Sequence, residues 1–232
     1  MRNLKFILAI ATIFLFVIGA NAYAANITIP DGVSSGTGWY GAQEDQEVEP
    51  NCLTGQVWDL EGFFLNGTTL TMVGGYDFVN GEGGWDSGDI FIDTDNTNGY
   101  DYVLDMNFGS STYSVYSIDS DATLLNVYYT QNQASNPWRY ESGGSLVGNN
   151  AGFTYKAGSS DYDTIFLGGT GTHNAVTVDL SFLGSDINNF TAHFTMECGN
   201  DNLMGKVPVP EPTTLLLLGF GLLGLGLVRR KS

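Results

Sequence analysis

Apolar residues that recur at every second position, and almost never at helical spacing, confine residues 25–205 to β-structure. Val176, Val178, Leu180 and Phe182 fall on one face of an extended chain, with Thr177, Asp179 and Ser181 on the other. Phe190, Ala192, Phe194 and Met196 repeat the pattern against Thr191, His193 and Thr195, and Tyr102, Leu104, Met106 and Phe108 make a third set. Residues 68–73, 88–93, 112–118, 124–130 and 152–156 read as further strands from their β-branched and aromatic content. Turn dipeptides punctuate them: Asn66-Gly67, Asn80-Gly81, Gly83-Gly84, Asn98-Gly99, Gly143-Gly144 and Gly168-Gly169. Short strands broken at roughly ten-residue intervals predict an all-β fold, an antiparallel β-sandwich of the jelly-roll or lectin-like kind, with a closed barrel as the alternative closure.

Both ends differ in texture from this body. Arg2 and Lys5, the apolar run 6–20 and the small-residue box Ala22-Tyr23-Ala24 have the three-part order of a secretory signal peptide over residues 1–24. At the other end, residues 206–212 read KVPVPEP, an extended linker. Every residue from 215 to 228 is apolar or glycine, and Arg229-Arg230-Lys231 stops the run. A helix over 213–228 would span about 24 Å, short of a hydrocarbon core of about 30 Å, so a transmembrane segment here needs local thinning or snorkelling arginines. The basic end is expected on the cytoplasmic side, with the body outside. The chain thus divides into a signal (1–24), a β-sandwich ectodomain (25–205) and a C-terminal segment (206–232).

Of the 8 basic residues only Arg139 and Lys156 lie in the body, and of the 25 acidic ones all but Glu211 do, which leaves 2 against 24 and a formal charge of −22. Such a surface repels phosphate backbones, so no nucleic-acid partner is expected. Cys52 and Cys198 are the only cysteines. Export places them where disulfides form, and their spacing is unlike a redox C-x-x-C, so a structural bridge is expected, with two separate thiols as the alternative. On the chain-entropy view such a bridge is worth about 5 kcal/mol.

The residues Val209-Pro210-Glu211-Pro212, the apolar run after them and the basic end together resemble a PEP-CTERM sorting signal. The resemblance covers about the last 25 residues. It implies an exported protein held in the inner membrane in transit, processed near Pro210, Glu211 and Pro212 by an exosortase-type enzyme, and passed to the cell surface or to extracellular polymer. Such systems accompany exopolysaccharide production and biofilm. Glu197-Cys198-Gly199-Asn200-Asp201-Asn202 and Gly88-Asp89-Ile90-Phe91-Ile92-Asp93 also resemble stretches of PEP-CTERM ectodomains of unassigned role, which brings no activity with it.

Within the body, Asp93, Asp95 and Asp101 are the best candidate ligands for a hard cation, calcium, because a turn that carries them gathers several oxygens at short range. The loop is not an EF-hand: its glycine falls one place late and no glutamate closes it. Dense Asp and Asn are also what an ordinary hairpin turn uses. Glu44-Asp45-Gln46-Glu47-Val48-Glu49 reads as a solvated acidic loop. Trp39, Trp58, Trp85 and Trp138, with 12 tyrosines, make sugar stacking an option, above all for Trp85 in the loop Gly84-Trp85-Asp86. Large aromatics otherwise fill a sandwich core.

Two motif matches carry no chemistry. Gly32-Val33-Ser34-Ser35-Gly36 fits G-x-S-x-G without a following helix, and Gly219-Phe220-Gly221-Leu222-Leu223-Gly224 fits G-x-G-x-x-G inside the apolar tail. His173 in a Gly/Thr turn and His193, alternating away from the apolar face, are expected at the surface. No catalytic residue and no enzyme activity is assigned. The first expectation is a non-enzymatic surface or matrix protein. A calcium-dependent carbohydrate-binding module and, behind it, a polysaccharide hydrolase using two carboxylates are the alternatives.

Overall fold

A computed structural model describes residues 24–29, 48–49, 52–95, 97, 99–159 and 173–208. Residues 1–23 of the expected signal peptide, most of the acidic run at 44–49, Trp39, the Pro-Glu-Pro motif, the expected transmembrane segment and the basic end lie outside the described residues. Among the described residues no helix is long and apolar enough to cross a membrane.

The described strands run β1 (Ala25–Asn26), β2 (Leu60–Asn66), β3 (Thr69–Gly74), β4 (Ile90–Asp93), β5 (Tyr102–Asn107), β6 (Thr112–Ser117), β7 (Thr123–Leu125), β8 (Arg139–Ser142), β9 (Ser145–Gly152), β10 (Thr154–Ser159), β11 (His173–Asp179), β12 (Thr191–Thr195) and β13 (Asn202–Lys206). They form a sheet of order β1-β2-β3-β11-β10, a second of order β13-β12-β4-β5-β6-β9, and a β7-β8 ribbon. Every pairing is antiparallel. The all-β, antiparallel expectation therefore holds. A jelly-roll does not emerge from this order, because neighbours such as β2-β3, β4-β5-β6 and β12-β13 pair as hairpins within one sheet.

One core joins the two large sheets. Leu60, Phe63, Leu70, Met72, Val176 and Val178 of the first meet Ile90, Ile92, Leu104, Met106, Ala192 and Phe194 of the second. Ile27 stitches the sheets at one edge: its N–H donates to Phe63 at 2.9 Å and its carbonyl accepts from Lys206 at 2.6 Å. Lys206, read from the sequence as linker, ends β13, and Val207 is buried with its N–H on Phe190.

The second sheet is covered on its other face as well. Phe91, Val103 and Ile118 pack there against Tyr100, Tyr116, Leu124 and Tyr140, supplied in part by the β7-β8 ribbon. This third layer corrects the expectation for His193, which pairs in register with Phe91 and is 1 % exposed. His173 is buried too, 2.8 Å from the Glu61 carboxylate. Neither histidine is a surface residue, because both faces of their strands are occupied.

Candidate functional site

The turn that carries Trp85 is built by two glycines. Gly83 and Gly84 have φ of +61° and +89°, a left-handed pair that suits a tight antiparallel turn and that side chains resist. The N–H of Glu82 donates to Trp85 at 3.3 Å, the N–H of Trp85 returns to Glu82 at 3.0 Å, and the Tyr76 hydroxyl holds the Trp85 carbonyl at 2.8 Å. The indole is thereby set half in the core and half in a cavity of about 260 Å³ lined also by Trp58, Tyr129, Gln131, Cys52 and Cys198.

Four aromatic rings cluster here. The Trp85 centroid lies 5.0 Å from that of Tyr128 and 5.4 Å from that of Tyr129, and the two tyrosines meet edge to face at 5.1 Å. Trp58 sits at the end of a single 3₁₀ turn, Gln56–Trp58, and lines the same cavity. Tyr128 is 65 % exposed and Tyr129 38 %, although each carries a large apolar ring. Neither indole N–H, neither tyrosine hydroxyl and not the Gln131 amide has a hydrogen-bond partner among the described residues. Apolar ring faces next to available donors are what a hydroxyl-rich ligand needs. Sequence reading singled out Trp85 alone. Its companions come from distant segments, and only the adjacent Tyr128-Tyr129 pair offered a signal.

The floor of the cavity is a stitched seam. Asn200 accepts the Leu53 N–H at 2.9 Å and donates to the Leu53 carbonyl at 2.8 Å, while the Glu49 N–H donates to the Asn200 carbonyl at 2.9 Å. The Asn132 amide donates to the Cys198 carbonyl at 3.0 Å, and its oxygen lies 3.5 Å from the Cys52 thiol. Cys52 and Cys198 thus face one cavity, yet the expected bridge between them is not formed in this structure. The Cys52 thiol is turned to the Asn132 side chain instead. Burial pushes the Cys198 thiol up to about 11, which keeps it protonated near neutral pH.

At the β4-β5 turn the structure brings Asp93, Asp95 and Asp101 together, with one carboxylate oxygen of each inside a 4.8 Å set. Local hydrogen bonds shape the turn. Asp101 accepts from the Thr94 N–H at 2.7 Å and the Thr94 hydroxyl at 2.6 Å, Asp93 from the Asp95 N–H, and Asp95 from the Thr97 N–H. Hydrogen bonds from Thr97 hold the Asp95 carboxyl below its usual range. Carboxylate oxygens gathered this closely are the ligand type that a hard cation takes.

The family model of the PEP-CTERM protein-sorting motif matches residues 208–231, the span that holds Pro210, Glu211 and Pro212. No curated protein and no solved structure matches this chain. The protein is therefore of the exported class that is sorted by a C-terminal signal to the cell envelope or surface. Its particular mark is the PEP-CTERM motif, generally a substrate signal for exosortase processing, joined to an antiparallel β-domain with an aromatic cleft.

Proposed function

We propose that this is a non-enzymatic surface or matrix protein, anchored in the inner membrane during transit, whose β-domain holds a neutral extracellular polysaccharide in the Trp58–Trp85–Tyr129 cleft. The observation that carries this reading is the set of half-exposed rings with unused N–H and O–H donors around one cavity. Stacking of pyranose faces on such rings, with hydroxyls meeting those donors, suits a neutral polymer. The body's charge disfavours a polyanion at long range. Affinity electrophoresis of the full chain in the neutral exopolysaccharide of the producing cell tests it. Retardation that disappears in Trp85→Ala, Tyr129→Ala protein supports the reading, and unretarded wild-type protein refutes it.

A second reading, calcium at the β4-β5 turn, is favoured by the convergence of three carboxylates there. Under it the ion stiffens a loop of the same domain, and the sugar reading stands with or without it.

A further inference from the structure

Consecutive residues of the Gly81–Ser87 loop face two different cavities. Trp85 lines the aromatic cleft, while Asp86 and Ser87 line a second cavity of about 360 Å³. That second cavity is polar where the first is aromatic. Asp105 reaches it from β5, Arg139 from the start of β8 and Asn150 from β9. The carboxylates of Asp86 and Asp105 accept no hydrogen bond from any described residue, and Arg139 makes no ion pair with one, resting instead 5.5 Å over the Trp138 ring. Phe108 supplies an apolar patch to the same wall. Its volume lies within the ~300–1,000 Å³ of ordinary ligand pockets.

Carboxylate acceptors, a guanidinium donor and an amide around one cavity are complementary to vicinal hydroxyls, which both donate and accept. Asp105 is half-buried, and burial raises its carboxyl while Arg139 opposes the rise, so the two groups sense each other across the space. A carboxylate in such a place binds a hydroxyl more strongly than one in bulk water, since low local dielectric strengthens the hydrogen bond.

We propose that the Asp86–Asp105–Arg139 cavity is a second, hydrogen-bonding subsite, and that a neutral polysaccharide chain crosses the Gly81–Ser87 loop to occupy both cavities. This rests on the aromatic-cleft reading and extends it from a single contact to recognition of an extended polymer. Two weak subsites joined by one ligand give an affinity neither gives alone, because the second contact becomes intramolecular.

The test uses the full chain in detergent micelles, with disaccharide and hexasaccharide fractions of the producer's neutral exopolysaccharide, by titration calorimetry. Wild-type protein binds the hexasaccharide at least tenfold more tightly than the disaccharide. Asp105→Asn, Arg139→Gln protein loses that tenfold gain yet keeps the disaccharide affinity. Asp86→Asn, at an exposed position, shows the same loss in part and guards against a folding artefact, with the melting temperature as control. Trp85→Ala weakens both ligands. If the Asp105, Arg139 and Asp86 variants bind hexasaccharide like wild type while Trp85→Ala does not, the second subsite is refuted and the aromatic cleft survives. If neither fraction binds wild-type protein, both are refuted.

Discussion

The imidazole Nε2 of His193 lies 2.9 Å from the main-chain oxygen of Pro137, so the second sheet is tied to its outer cover by a buried neutral histidine. Nε2 donates to that carbonyl, while Nδ1 faces the Met204 sulfur at 3.2 Å and the ring stacks on Tyr100 at 5.5 Å.

This pair sets an acid-side stability term. Burial lowers the His193 value from 6.5 to about 4, so its contribution is complete above pH 6.5 and is lost as pH falls through 4. Asp89 runs the other way. Burial raises it from 3.8 to about 7 against hydrogen bonds from the Met106 and Tyr140 N–H groups, so its contribution is complete below pH 3.8 and is lost as pH rises through 7. Between pH 6.5 and 4 the two oppose. In His193→Gln protein only the Asp89 term remains. Its stability relative to wild type should therefore rise on acidification across that window, by on the order of 3 kcal/mol. Urea unfolding of both proteins at several pH values measures this, and parallel pH profiles would contradict it.

Gly88 is where the cover closes on the sheet. A Cβ there would collide with the main-chain oxygens of Trp138 and Thr195, neither of which can give way without breaking a strand or the seam. Gly88→Ala should cost about 3 kcal/mol or more, as overpacking against backbone does. A melting temperature within a degree or two of wild type would show that the cover is loosely held.

The thiols give a chemical check on the cavity floor. With no bridge between Cys52 and Cys198, the protein unfolded without reductant should take up two alkyl groups. In the native state the half-buried Cys52 should react before Cys198, which is buried and held protonated. A chain with no alkylatable thiol would instead demonstrate the bridge expected from sequence.

Calcium at the β4-β5 turn should raise the melting temperature at millimolar concentration, and Asp95→Asn, Asp101→Asn protein should lose the shift. An equal shift in the variant, or none in wild type, would leave the turn as a hydrogen-bonded hairpin connection.

The sequence was legible where apolar and polar residues alternate along a strand or β-branched and aromatic residues cluster in it. β5 and β12 fall within segments read from alternation, and β6 within one read from its β-branched and aromatic content. β2 was missed because Leu60 to Phe64 are buried on both faces, which erases the period of two. The run of alternating residues after β11 was overread. Leu180 is followed by a 3₁₀ segment, Ser181–Asn188, broken at Gly184 with φ of +56°, so Phe182 belongs to a turn. His193 was misplaced for the same reason as β2, since nothing local reports a third layer. At the site, a glycine pair flanking Trp85 pointed to a presented aromatic, whereas Trp58, Asn132 and Asp105 are joined to it by topology alone.

The tail is the most specific part of the chain, and the intact mass of the mature protein tests its role most directly. By sequence, three prolines precede an apolar run of 14 residues, a pattern expected to give an extended approach and a span short for a permanent anchor. Wild-type full-length chain expressed with its processing enzyme should be recovered at the cell surface with a mass ending near Pro210, Glu211 and Pro212, while Glu211→Ala, Pro212→Ala protein should keep the whole tail and stay in the membrane fraction. Identical mature mass and surface location in wild type and variant would contradict processing at this motif.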